Sequence, residues 1–258
     1  GQDPAYGIIE LSVDGGDHPD TIATLTGDPL AGGAVNYTGE RHELDDVRLL
    51  SPVIPRSKVV GVGKNYAEHA AEMGGAVPET PLIFLKPNTS VIGPDDAIIR
   101  PDGCAELSYE GELAVVIGRI CKQVPVDRVP EVIFGYTIAN DVTARDWQRS
   151  DGQWFRAKGS DTFLPLGPWI NTHVTIEEAG TLSIETRLND EVRQDGSTSQ
   201  MVRGIAELIS FITASVTLLP GDVVLTGTPA GVGSMEPGDL VHVTIDGLGT
   251  LSNPVVDA

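Results

Sequence analysis

Two glutamates, Glu110 and Glu112, stand at i and i+2 where the chain enters the apolar run Leu113–Ile117. On a strand this spacing sends both side chains to one face, with Gly111 opposite. Carboxylates sharing a face repel, and burying them without partners is costly. The pair must therefore face solvent, share a proton or hold a cation. A third acid, Asp141, follows the apolar run Phe134–Ala139 and Asn140, where a core strand ends. Three carboxylates with no cysteine or paired histidine nearby make a hard oxygen site, suited to Mg2+ or Mn2+ rather than zinc. Three protein ligands leave an octahedral ion about three positions for water or substrate, as a catalytic metal requires.

Other candidates lie apart in sequence. His69 and Glu72 are spaced i, i+3, so they share one face of a short helix. A carboxylate bonded to one ring nitrogen orients an imidazole and raises its basicity, as a general base requires; a solvated surface pair has the same spacing. Arg145 and Gln148 follow the third acid closely, and Lys158 lies in Arg156-Ala157-Lys158-Gly159. These groups either neutralise a carboxylate substrate or lie on the surface. The glycine-rich stretch Thr226–Gly233, containing Thr228, follows a strand directly. Its backbone N–H groups either hold a carboxylate or close a tight turn.

The elements that must position these residues are mostly strands. Candidate strands are Val59–Val62, Leu82–Lys86, Leu113–Ile117, Phe134–Ala139, Leu182–Leu188, Val223–Thr226 and Leu240–Ile245. Many are continuous apolar runs, as expected of strands buried on both faces. Two segments read as helices, Tyr66–Met73 and Met201–Thr217. Residues 1–52 are rich in Gly, Asp and Thr and read as a small β-rich domain, leaving 53–258 as the catalytic domain. The expected class is a mixed, β-dominated α/β fold.

Composition narrows the function. The chain has 258 residues, 40 % of them hydrophobic, with 17 Lys+Arg against 37 Asp+Glu, a formal charge of −20. That much acidity argues against nucleic acid and anionic membrane surfaces as partners. An anionic substrate must then meet cations held locally. Cys104 and Cys121 form no CxxC motif and read as two buried thiols of a reducing compartment. No signal peptide or membrane span is read, so the expected location is cytoplasmic. Gly61-Val62-Gly63 begins like a dinucleotide fingerprint, but Tyr66 takes the third glycine's place. Walker A and Gly-x-Ser-x-Gly motifs do not occur. His42-Glu43 lacks a zincin's second histidine.

From about Val59 onward the ordered segments resemble those of the fumarylacetoacetate hydrolase family. They are Gly63-Lys64-Asn65-Tyr66 with His69 and Glu72, Phe84-Leu85-Lys86-Pro87, Glu110-Gly111-Glu112, Asn140-Asp141-Val142-Thr143-Ala144-Arg145, Lys158-Gly159-Ser160-Asp161, and Thr226-Gly227-Thr228-Pro229. The resemblance implies a rolled mixed β-sheet with short peripheral helices and a homodimer. It implies one Mg2+ or Mn2+ per chain, with Glu110, Glu112 and Asp141 as ligands. His69 and Glu72 match the dyad of a mobile lid helix, Lys158 the active-site lysine, and Arg145, Gln148 and Thr228 the contacts to a substrate's 2-oxo acid end. Gly74-Gly75 would serve that lid as a hinge. The implied activity is cleavage of a C–C bond in a small anionic 2-oxo acid by way of its enolate. Acylpyruvate hydrolysis and oxaloacetate decarboxylation both fit. The alternative is isomerisation of a 2-hydroxyhepta-2,4-diene-1,7-dioate, and a non-catalytic metal-binding or sensor protein is the competing class.

Overall fold

The structure, a computed structural model, describes residues 3–12 and 19–258. Contacts divide the chain between Leu49 and Leu50 into two compact units. The first holds β1 (Gly7–Glu10), β2 (Thr21–Leu25) and β3 (Tyr37–Glu43), an antiparallel sheet with β2 in the middle.

The second unit starts with β4 (Val59–Gly63), α1 (Ala67–Glu72), β5 (Leu82–Lys86), β6 (Val91–Ile92), β7 (Ile98–Arg100), β8 (Leu107–Tyr109), β9 (Gly111–Ile117), β10 (Ile133–Asn140) and β11 (Thr143–Ala144). It continues with α2 (Arg145–Ser150), α3 (Phe155–Gly159), β12 (Leu164–Asn171), α4 (Ile176–Ala179), β13 (Ser183–Leu188) and β14 (Glu191–Ser197). It ends with α5 (Ile205–Ser215), β15 (Val223–Leu225), β16 (Gly233–Met235), β17 (Leu240–Ile245) and β18 (Gly249–Asp257).

A seven-stranded mixed sheet runs β5-β4-β15-β9-β10-β12-β6, and a five-stranded one runs β14-β13-β17-β18-β7. The two share a core. Leu113, Val115 and Ile117 of β9 pack with Ile184 of β13, Val243 and Ile245 of β17, and Leu208, Ile209 and Ile212 of α5. All seven residues of β9 are buried, as a continuous apolar run predicts. A short β11-β8-β16 sheet flanks the acidic residues in sequence, with β8 ending just before Glu110 and β11 starting two residues after Asp141. The result is the rolled, β-dominated architecture expected, with short helices. Among the described residues no helix is long and apolar enough to cross a membrane.

The helices depart from expectation in two ways. The second covers only Ile205–Ser215, because Gly204 caps its start in extended geometry and Met201 is bridged to Tyr66. Three further helices, α2, α3 and α4, have four to six residues each. Such lengths are too short for a 3.6-residue repeat to register.

Candidate active site

Strand register brings the acids together. In the β9–β10 ladder Gly111 pairs with Asn140 and Glu112 with Ala139, so Asp141 falls opposite Glu110. The Asp141 amide donates to the Glu110 carbonyl at 2.8 Å, and the Asn140 side-chain oxygen accepts from the Glu110 amide at 2.9 Å. Carboxylate oxygens of Glu110, Glu112 and Asp141 lie within 4.8 Å of one another, and all three residues are buried.

Three buried cations surround them. Lys158 Nζ bridges Glu110 Oε2 at 2.8 Å and Asp141 Oδ2 at 2.6 Å. Lys86 Nζ donates to Asp141 Oδ1 at 2.5 Å and to the Val142 carbonyl at 3.2 Å. Arg145 Nη2 stands 2.5 Å from Glu110 Oε1, an ion pair set off the line of a hydrogen bond, while its Nη1 donates to Gln148 Oε1 at 3.0 Å. Burial alone would raise the Glu110 carboxyl, but Lys158, Arg145 and His69 outweigh it and hold the group well below the usual range. Lys158 moves the other way and is raised, its burial outweighed by Asp141 and Glu110.

Glu112 behaves differently. Burial and the charges of Asp141 and Glu110 push it well above the usual carboxylate range, against Lys158 and a 2.7 Å hydrogen bond from the Gly227 amide. Of the three carboxylates, Glu112 is the one that makes no ion pair with these cations. The buried Tyr66 hydroxyl and Asn140 Nδ2 also make no hydrogen bond. Three converging buried carboxylates, one of them without an ion pair and with unpaired polar atoms nearby, make a hard-oxygen donor set that fits a divalent ion of the Mg2+ or Mn2+ kind.

The dyad lies on α1. His69 Nδ1 is 3.4 Å from Glu72 Oε2, and the Glu72 carboxylate accepts from the Gly231 amide at 3.2 and 3.3 Å. His69 is buried, whereas the Glu72 side chain is 35 % exposed. With Nδ1 turned to Glu72, Nε2 is the nitrogen left for proton transfer. Asn65 anchors the base of this helix, donating to the Thr226 carbonyl at 2.8 Å and to the Arg203 carbonyl at 3.1 Å.

A cavity of about 200 Å³ opens beside this cluster, lined by His69, Glu110, Glu112, Arg145, Gln148, Lys158 and Thr228 together with Val62, Lys64, Met73, Arg149 and Trp154. Of the residues singled out in the sequence, Asp141 and Glu72 do not line it. Asp141 lies behind, held by the two lysines, and Glu72 supports His69.

Residues 58–256 match the family described as fumarylacetoacetate (FAA) hydrolase, C-terminal. The chain belongs to the fumarylacetoacetate hydrolase family. Residues 1–52 match a second family, Rv2993c-like, N-terminal. A 5-carboxymethyl-2-hydroxymuconate delta-isomerase structure from Mycobacterium smegmatis is 50 % identical, with a TM-score of 0.88 over 98 % of this chain and 95 % of that one. The oxaloacetate tautomerase Fahd2a of Rattus norvegicus is 44 % identical over 81 % of this chain and 70 % of its own length. A maleylpyruvate hydrolase from Sphingobium sp. SYK-6, solved with manganese(II) and pyruvate, is 34 % identical, with a TM-score of 0.74 over 85 % of this chain and 77 % of that one. The relatives of this chain thus carry the names of an isomerase, a tautomerase and a hydrolase.

Two residues of this family site escaped the sequence reading. Lys86 ends the apolar strand β5, and a lysine in that place is a signal for a buried ion pair, here with Asp141. Gln194, fully buried in β14, accepts from the Gly111 amide at 3.0 Å and donates to Thr228 Oγ1 at 2.7 Å and the Pro229 carbonyl at 2.8 Å. Thr228 Oγ1 in turn donates to the Gly111 carbonyl at 2.7 Å. The peptide between the two glutamates is clamped from both sides. The Thr228 hydroxyl proton is committed to that clamp and is not free for a substrate carboxylate.

Proposed function

We propose that this chain is a divalent-metal-dependent enzyme that acts on a small 2-oxo acid through its enolate, with proton transfer at C3 as its basic step. The observation that carries the reading is the convergence, beside one cavity, of three buried carboxylates and a carboxylate-oriented histidine. A Mg2+ or Mn2+ ion held by Glu110, Glu112 and Asp141, one per chain, would supply Lewis acidity towards the 2-oxo acid. Lys158 and Arg145 hold Glu110 in its charged form for that task, and Lys86 and Lys158 fix the Asp141 carboxylate by hydrogen bonds. Arg145 and Gln148 present donors to the substrate carboxylate. His69, oriented by Glu72, takes and returns the C3 proton through Nε2. Val62, Met73 and Trp154 limit water around it.

The names of the isomerase and tautomerase relatives favour isomerisation or keto–enol conversion, which need only this proton movement. C–C cleavage is the second reading, favoured by the Glu72–His69 pair, which is built to activate a water against a distal carbonyl. The family resemblance supports a homodimer, which light scattering checks. The deciding experiment is a proton-NMR time course on EDTA-stripped protein with and without Mg2+. Accelerated loss of enol-oxaloacetate only with Mg2+, and absent in Asp141→Ala, is expected. Acetate and pyruvate from acetylpyruvate would move hydrolysis to first place, and no change over metal alone with either compound would overturn the reading.

A further inference from the structure

We propose that Lys64 forms the subsite for a second carboxylate, so that the preferred substrate is a short 2-oxo dicarboxylic acid rather than an acylpyruvate with a neutral tail. This rests on the preceding reading that the cavity receives a 2-oxo acid. Four cations line the cavity: Lys64, Arg145, Arg149 and Lys158. Three are matched within the protein, Lys158 by Glu110 and Asp141, Arg145 by Glu110, and Arg149 by Glu106. Among the described residues, Lys64 is paired with no carboxylate and makes no side-chain hydrogen bond. In a chain with 17 basic and 37 acidic residues, an unmatched cation facing a binding cavity is charge held in reserve for an anion.

The backbone supports the assignment. Lys64 has φ +57°, in the left-handed region where a side chain other than Asn or Asp is strained. Its neighbours Gly63 and Asn65 are the types that tolerate that geometry. A lysine there adds strain, and its ammonium is what it contributes. Room is also left for that ammonium. A Cβ at Gly75 would stand 2.7 Å from Lys64 Nζ, so the lysine head rests just past the end of the helix that carries His69. Arg145 and Gln148 can receive the proximal carboxylate, and Lys64 is the charge available to a distal one.

The test is a calorimetric titration of the Mg2+-loaded protein with 2-oxoglutarate and with 2-oxopentanoate, which differ in having a distal carboxylate or a methyl group. The native protein should prefer 2-oxoglutarate about tenfold, the discrimination of a charge-assisted contact. Lys64→Asn, which suits the left-handed backbone and folds without strain, should abolish the preference while leaving 2-oxopentanoate binding as it was. Lys64→Arg should retain it. Gly75→Ala, whose methyl group displaces the ammonium, should reduce it about two- to threefold. Equal affinities in the native protein, or a Lys64→Asn effect that is absent or the same for both ligands, would overturn the proposal. Failure of the native protein to bind either ligand would instead sink the 2-oxo acid reading on which it rests.

Discussion

At the scale of single residues, Glu112 sets how the site responds to pH. Its ordinary value is 4.5, and burial with two adjacent carboxylates raises it well above that in the ion-free protein. The unfolded chain therefore ionises this group first, so the ion-free fold loses stability as pH rises from 4.5 through the raised value. A bound cation favours the charged form. Ion uptake within that window should expel up to about one proton per ion, and affinity should climb with pH across it. Calorimetric titrations in buffers of different ionisation enthalpy read this release, which Glu112→Gln should remove. His69 makes a different prediction. His69→Ala should slow C3 proton transfer by about 10²–10⁴-fold while Mg2+ affinity stays that of the native protein. Equal loss of both would make His69 a structural support of the acidic cluster rather than a base.

At the scale of elements, the β9–β10 register positions the acids, and Gly111 lets β9 lie close to β13. A Cβ at Gly111 would meet Thr186 Oγ1 at 2.3 Å and Val243 Cγ1 at 2.9 Å. Gly111→Ala should therefore lower stability by about 1–3 kcal/mol, as overpacked cores do. It should also weaken Mg2+ binding, because both flanking glutamates move with the strand. A thermal scan with and without Mg2+ separates the two effects. Much of this was legible in the sequence. The i, i+2 spacing placed Glu110 and Glu112 on one face, and i, i+3 placed Glu72 beside His69. Leu82–Lys86 and Leu240–Ile245 form strands with the bounds expected. What could not be read was set by long-range pairing. Lys86 meets a partner 55 residues away, and Gln194 reaches Gly111 across 83. No local pattern encodes either contact. Helices of four to six residues were missed because they are shorter than two turns of the repeat that reveals a helix.

At the scale of the whole molecule, a charge of −20 opposes compaction, and salt screens it. Raising ionic strength from a few millimolar to physiological levels should raise Tm, as differential scanning calorimetry would show. The division at Leu49 and Leu50 makes a second prediction. A chain of residues 50–258 carries the whole core around β9 and every residue of the acidic cluster. It should unfold in a single cooperative transition and bind Mg2+ as the full chain does. A fragment that bound no ion, or melted without cooperativity, would make the first unit part of the catalytic fold.

The connection between β4 and β5 gives the molecule a modular chemistry. Residues 64–81 carry both His69, the base proposed above, and the unmatched Lys64, while Glu110 and Glu112 sit at the start of β9 and Asp141 just past the end of β10. The insert is tied to the rest through the hydrogen bonds of Asn65 and the Glu72–Gly231 contact. A transplanted loop that kept those ties would bring a new residue at the place of His69 and a new one at the place of Lys64 to an unaltered acidic cluster. Exchange of one eighteen-residue cassette is thus a route by which a single barrel-like chassis could diversify into isomerase, tautomerase and hydrolase lineages.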